Sequence, residues 1–485
     1  MLAMKLLSLH DTLSRKRQEV YPSDGEVFRF YCCGPTVYGP AHIGNFRTFL
    51  VQDLLRRVVE LSGMKTCHVR NITDVDDKTI RESQAAGISL TDFTAGWTTR
   101  FHDDAKALNI LKPHVEPGAV EHIPEQIALI ETLLASGNAY CSDDGSVYFN
   151  VSSYAPYGRL SRLDTRELRA GAGEGANDSD EYDKDNASDF VLWKSRKSVD
   201  GENFWDSPWG EGRPGWHLEC SAMGMKYLGE SFDLHAGGVD LCFPHHENEI
   251  AQSEAATGKT FARHWFHNEH LMVDGSKMSK SLGNLYTLED IMERGFGPGE
   301  LRYSLLAGSC RTKINFSMER LQEAQGNLQR IAAFIAKLGG SLPTYDQLCK
   351  LATCGSLDAG PFLPVWKALL EDLNTPAALG QLFTVLKPLE KGVTAGSLTK
   401  KEMDAARTGL AMIVHAFGWI VPEISEREGE VSDVPADILQ MAEQRWAAKQ
   451  DKNWEESDRL RDQLATAGWT IKDTADGYEV EPSRE

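Results

Sequence analysis

The chain contains no run of about 18 uncharged apolar residues, the length a membrane-spanning helix needs. Its opening, MLAMKLLSLHDTLSRK, is apolar for only a few positions before charges enter, so neither a signal peptide nor a membrane anchor is expected. Cysteine is sparse and irregular. Nine cysteines scattered over 485 residues, an odd number, do not make the dense even framework of a disulfide-stapled secreted domain. A reducing, cytoplasmic setting is expected instead. No internal repeat marks a solenoid. Cationic charge is also short: 51 Lys and Arg face 71 Asp and Glu, for a net charge of -20. That balance excludes a protein that holds nucleic acid by overall charge and leaves local basic patches as the route.

What is present is a long chain, 41% apolar, which at ~150 residues per domain has room for three or four units. FRFYCCG at 28–34 reads as a buried strand that ends at Gly34-Pro35, and 43–62 carries apolar residues at helical spacing. TCHVRNIT at 66–73 reads as another strand. Strand, glycine-containing loop, long helix and strand open a parallel α/β nucleotide-binding sheet of Rossmann-like type. From 117 to 200 this order is interrupted, and it resumes with SFDLHAGGVDLCF at 231–243, which predicts an inserted subdomain. Within it, GAGEGANDSDEYDKDNASD at 171–189 is acidic with almost nothing to pack, as expected of a mobile surface loop. After Asn315 long helical patterns predict a bundle. An acidic linker follows at 423–437, then a helical pair with a strand-like tail, GWTIKDTADGYEV. The expected division is 1–116 and 201–315 for the two halves of the α/β domain, 117–200 for the insertion, 316–425 for the bundle and 438–485 for a small α+β module.

Three groups of residues carry chemistry. His42-Ile43-Gly44-Asn45 stands where the first loop enters the helix. Free N–H groups at a helix start attract phosphate, histidine and asparagine donate hydrogen bonds, and a glycine admits a nucleotide base, although the same tetrapeptide can simply cap a helix. Lys277-Met278-Ser279-Lys280-Ser281 lies between Gly275 and Gly283, before a helix starting near Thr287. Two ammonium groups on such a loop can clamp a triphosphate and follow charge towards pyrophosphate, or can be merely solvated; the two motifs on one α/β chain favour the clamp. Third, His245 and Glu249 of the run HHENE fall four apart on one helix face, where two side chains can share a metal. With Cys33 and Cys220 they make a four-donor zinc set of mixed sulfur, nitrogen and oxygen; buried cysteines and a surface helix are the plainer alternative.

The segments CGPTVYGPAHIGN at 33–45, RNITDVDDK at 70–78, RPGWHLECSAM at 213–223, HAGGVDLCFPHHENEIAQS at 235–253 and KMSKSLGN at 277–284 together resemble the cysteinyl-tRNA synthetase family. The resemblance runs from about residue 5 to 320 and continues more weakly to the C-terminal segment, which looks like that family's anticodon-binding module. It implies zinc ligation by Cys33, Cys220, His245 and Glu249, with Cys32 and His246 as neighbours and not ligands. It further implies an amino-acid pocket lined by Thr73 and Trp216. ATP would lie against His42, Gly44, Asn45 and Lys280, with Asp240 near the ribose, and catalysis would fall to His42, Asn45, Lys277 and Lys280. Asn45 departs from the histidine of the broader class I signature HIGH, which bears only on the weight of that fourth residue.

The implied reaction has two steps: the cysteine carboxylate attacks the ATP α-phosphate, then the terminal ribose of tRNA(Cys) displaces AMP. One zinc ion per chain would select the substrate thiol, which has a free pKa of ~8.5 and deprotonates readily on the metal, unlike a serine hydroxyl. Mg²⁺ would accompany ATP, and the enzyme would be a cytoplasmic monomer that needs no membrane. The implied anticodon contacts lie in 438–485, where Arg445, Lys449, Lys452, Arg459, Arg461 and Lys472 interleave with Trp446, Trp454 and Trp469. Those tryptophans could instead fill a small core. Two rival readings remain: a cysteine ligase of thiol biosynthesis, which joins cysteine to an amino sugar and lacks the tail after 315, and a non-catalytic paralogue.

Overall fold

Val27–Cys32, VFRFYC, is buried almost throughout and lies between two other strands of a four-stranded parallel sheet. The order across the sheet is Ala262–Asn268, Phe232–Gly238, Val27–Cys32, Lys65–Arg70. All seven residues of Phe232–Gly238 are buried, as expected of a strand covered on both faces. The helix Ile43–Leu61 makes the crossover to Lys65–Arg70, and His245–Thr257 makes the crossover from Phe232–Gly238 to Ala262–Asn268. Winding therefore reverses between the two central strands, and a crevice at their carboxyl ends is the usual ligand site of such sheets. The computed structural model describes residues 6–162, 189–278, 283–423, 435–473 and 477–482. The acidic loop expected at 171–189 falls outside these except for Asp189, as does most of the acidic linker.

The insertion is a four-stranded antiparallel sheet, Ala139–Cys141, Val147–Phe149, Phe190–Ser195 and Gly212–Pro214, packed against the helix Ile123–Ala135. Its last strand lies beyond the boundary expected at 200. The Gly215 N–H donating to the Leu192 carbonyl at 2.8 Å and the Trp193–Pro214 pairing extend the subdomain to the start of the helix Trp216–Leu228. Sequence alone could not draw this edge, because a three-residue strand containing proline carries no period.

Five α-helices of 7 to 21 residues lie between Asn315 and Gly418: Met318–Leu338, Tyr345–Thr353, Leu363–Leu369, Thr375–Thr394 and Lys400–Phe417. They belong to the same compact unit as the α/β domain, Met1–Pro422. Buried ions fix the bundle to the first crossover helix. Asp53 pairs with Arg57 at 2.8 Å and with Arg302, while Arg302 Nε donates to the Phe417 carbonyl at 2.6 Å and Arg57 Nη1 to that of His415 at 3.2 Å. Burial opposes charge on Asp53, but Arg57 and Arg302 outweigh it and hold the carboxyl below its ordinary range.

Glu423–Glu485 forms the second unit. In it the helices Ala436–Gln450 and Trp454–Thr466 pack with an antiparallel pair, Trp469–Asp473 and Tyr478–Pro482, over a small core of Ile438, Ala442 and Leu464. No helix among the described residues is long and apolar enough to cross a membrane.

Candidate active site and metal centre

Cys33 directly follows the central strand Val27–Cys32, and its N–H donates to the Ala236 carbonyl of the neighbouring strand at 3.2 Å. Cys220 lies one turn into Trp216–Leu228, and His245 and Glu249 share a face of His245–Thr257. The structure brings the four together: their donor atoms all lie within 4.8 Å of one another, and all four residues are buried. His245 Nε2 is 3.1 Å from Glu249 Oε1, and Cys33 Sγ is 3.9 Å from the same oxygen.

A second overlapping set, Cys33, His235, His246 and Glu249, meets the same distance test. His246 Nε2 stands 3.2 Å from Cys33 Sγ, so it is more than a sequence neighbour. Its other ring nitrogen is 2.7 Å from His267 Nε2, and His267 Nδ1 is 2.8 Å from the Thr12 hydroxyl. His235 Nε2 lies 2.8 Å from Glu249 Oε2, with its ring stacked on Trp265 at 4.7 Å. His217 Nδ1 lies 3.0 Å from His245 Nδ1. Histidines thus fill the layer behind the four donors, the arrangement that orients metal ligands. Sequence reasoning missed this layer. The signal for His235 was present in HAGG, a histidine within a strand buried at every position.

The buried donors compensate one another's charge. Burial disfavours a charged His245, but Glu249 and Cys220 outweigh it and raise the imidazole to about 10. Burial likewise opposes ionisation of Glu249, yet His235 and His245 bring it to about 2. The Cys220 thiol is lowered despite burial by hydrogen bonds from Cys33 and His245, whereas burial drives the Cys33 thiol up. Two sulfurs, an imidazole and a carboxylate are a donor set that fits Zn²⁺. The overlapping set offers one sulfur, two imidazoles and a carboxylate, also zinc-type donors, and the first set is the softer of the two by its second sulfur.

At the same edge of the sheet, His42 caps the helix Ile43–Leu61. Its Nδ1 accepts from the Asn45 N–H at 3.2 Å, and Asn45 Oδ1 accepts from the His42 N–H at 3.1 Å. Capping and phosphate binding are compatible, since the cap uses Nδ1 and Oδ1 and leaves His42 Nε2 and the Asn45 amide nitrogen outside it. Burial lowers His42 to about 4, so the ring is neutral near pH 7 with its hydrogen on Nε2. A Cβ at Gly44 would sit 3.0 Å from His42 Nδ1 and 3.3 Å from Met278 Sδ. That contact shows the two motifs, over 200 residues apart, meeting in space. The Tyr286 carbonyl accepts from Ile43 N–H at 2.9 Å, and Thr287 pairs with His42. Ser279, Lys280, Ser281 and the side chain of Lys277 lie outside the described residues. Asp240, on the short turn Val239–Cys242, is exposed and folds back over Gly238, where a Cβ would strike it.

Thr287 is also the N-cap of Leu288–Glu293, in a capping box with Asp290. Thr287→Ala is therefore expected to lower unfolding free energy by about 1 kcal/mol. Chemical denaturation giving no decrease would contradict the cap's importance here.

Thr73 is 2% exposed and hydrogen-bonded to Glu219 at 2.5 Å, and Trp216 lies with its ring 4.3 Å from that of His245. Trp216 therefore borders the donor cluster, and Thr73 is bonded to the residue that precedes Cys220. Residues 19–326 match the family described as tRNA synthetases class I (C) catalytic domain. A cysteine--tRNA ligase of Opitutus terrae is 51% identical over 486 residues, 99% of each chain, and one of Chlamydia muridarum is 44% identical over 98% of this chain and 99% of its own. The chain belongs to the cysteinyl-tRNA synthetase family. It is an enzyme, a class I ligase. Among solved structures, a methionyl-tRNA synthetase of Mycobacterium tuberculosis superposes with a TM-score of 0.57 at 14% identity, over 85% of this chain and 97% of that one, which bears on the fold alone. The rival reading as a thiol-biosynthesis ligase finds no support, because the relatives match the chain over nearly its full length, tail included.

Proposed function

We propose that the chain activates L-cysteine with ATP and transfers it to tRNA(Cys), releasing AMP and pyrophosphate. The observation that carries this reading is the meeting of Cys33, Cys220, His245 and Glu249 beside the His42–Asn45 cap at one edge of the sheet. Held by those four residues, a zinc ion would supply a site that takes a thiolate in preference to a hydroxyl, by a factor of ~10⁴. Thr73 and Trp216 line the amino-acid pocket. Neutral His42 donates from Nε2 to a phosphate oxygen, and the helix start adds its N–H groups and partial positive charge. Asp240 receives the ribose, Mg²⁺ accompanies ATP, and Lys277 and Lys280 neutralise the charge that grows on departing pyrophosphate.

The bundle and the C-terminal unit bind tRNA, and the enzyme works as a cytoplasmic monomer. Pyrophosphate exchange assayed with all twenty amino acids, with metal measured on the same sample, tests the whole reading. Exchange dependent on an amino acid other than cysteine would overturn it.

Lys280→Ala should slow adenylate formation by ~10²-fold while leaving cysteine affinity nearly intact, because its charge acts mainly in the transition state. Rapid-quench measurement of an unchanged activation rate would remove the lysine from the mechanism.

A further inference from the structure

One continuous run of buried hydrogen bonds joins the segments that carry the two cysteine donors. Gly34 N–H donates to Asn71 Oδ1 at 2.9 Å, Asn71 Nδ2 donates to Thr73 Oγ1 at 3.1 Å, and Thr73 donates to Glu219 Oε1 at 2.5 Å. Gly34 follows Cys33, and Glu219 precedes Cys220. Gly34 itself has no room for a side chain, since a Cβ would run into the Asn71 carbonyl. Asn71, Thr73 and Glu219 are 1%, 2% and 3% exposed, so water does not compete for these bonds.

The direction of the run is set at Thr73, whose hydroxyl donates to Glu219 Oε1. A threonine hydroxyl has one hydrogen and two lone pairs. Asn71 occupies one lone pair, Glu219 takes the hydrogen, and one lone pair is left. The second oxygen of Glu219, Oε2, has no hydrogen-bond partner among the described residues, so the bond to Thr73 is what sets the rotation of this carboxyl. A buried acid is a costly filler where an apolar residue of equal size would pack. Its use here points to a task that needs an acceptor.

We propose that Glu219 is a positioning residue for amino-acid selection: by taking the Thr73 hydrogen it presents the remaining Thr73 lone pair to the α-ammonium of the bound amino acid. This rests on the reading that Thr73 lines the cysteine pocket. Glu219 touches no reacting atom and acts through Thr73.

The test compares Glu219→Ala, Glu219→Gln, Thr73→Val and the Glu219→Ala/Thr73→Val double variant in cysteine-dependent pyrophosphate exchange, with zinc content measured on each. Glu219→Ala should raise the KM for cysteine by about tenfold or more, leave the KM for ATP within about twofold, and leave zinc per chain unchanged. Glu219→Gln, whose amide oxygen still accepts from Thr73, should recover the cysteine KM to within about threefold, and the double variant should be no worse than the worse single one. An unchanged cysteine KM in Glu219→Ala, a glutamine variant as impaired as the alanine one, or losses that add in the double variant would each overturn the proposal. So would loss of zinc or of folded protein in Glu219→Ala, which would assign the residue to structure. An unaltered chain with no cysteine-dependent exchange would instead bring down the functional reading, and this one with it.

Discussion

Cys220→Ser is expected to lose stoichiometric zinc and to lower cysteine-dependent pyrophosphate exchange by at least ~10³-fold, with ATP affinity little changed. Changing residues that only support metal ligands typically costs 10- to 100-fold, and a ligand itself should cost more. Serine keeps the size of cysteine but offers a harder and much less acidic donor, so the loss reports ligation more than packing. His245→Ala should share the metal loss and add instability, because it removes the imidazole that faces Glu249 at 3.1 Å and leaves a buried carboxylate with less compensation. The pair of variants therefore separates the two effects. Elemental analysis showing full zinc, with a normal KM for cysteine in either variant, would refute the ligand assignment. ATP affinity serves as the internal control, since His42 and its helix cap are made without any of the four donors.

The strand, loop and helix that open the sheet were legible because local pattern sets them. A largely apolar run makes Val27–Cys32, Lys65–Arg70 is buried over its last three residues, and the predicted helix at 43–62 appears as Ile43–Leu61 with Ser62 as its C-cap. Thr287 was legible as a helix start for a similar reason, its hydroxyl and Asp290 forming a local box. The i, i+4 spacing of His245 and Glu249 likewise survives into three dimensions, as helix geometry requires. What sequence did not disclose is non-local. Nothing in the spacing of His235, His246 and His267 says that the three converge behind Cys33, because they come from two strands and a helix that only the folded sheet brings together. Glu219 was hidden in the same way, beside a recognised cysteine but bonded to a residue 146 positions away. The cations of the tail show the opposite error, since composition displayed their charge and not their partners. Arg445 and Lys449 are both bonded to Asp473, Arg459 pairs with Glu456 and Arg461 with Asp458, while Trp469 packs against the small core.

Removing the second unit is expected to separate the two catalytic steps. A chain ending at Pro422 should keep cysteine-dependent pyrophosphate exchange within about twofold, because the sheet, its donor cluster and the bundle all belong to Met1–Pro422. Its charging of tRNA should fall by ~10³-fold in kcat/KM. The magnitude follows if the unit stacks two unpaired bases at roughly 2 kcal/mol each, since 1.4 kcal/mol is a factor of ten. Ion pairing within the unit shifts the weight of that recognition from phosphate contacts to aromatic ones. Trp454, at the first turn of its helix, is 58% exposed and so accessible to a stacking base. Trp446 is half-buried, with Lys449 Nζ 5.4 Å from its ring centre. Trp454→Ala in the full chain should thus lower charging by ~30-fold through KM for tRNA, one stacked base's worth, without touching exchange. Truncated enzyme that charges tRNA at full efficiency would refute the recognition role. Loss of exchange along with charging would show that the α/β domain depends on the second unit for its fold, and the Trp454→Ala variant would then decide between recognition and support.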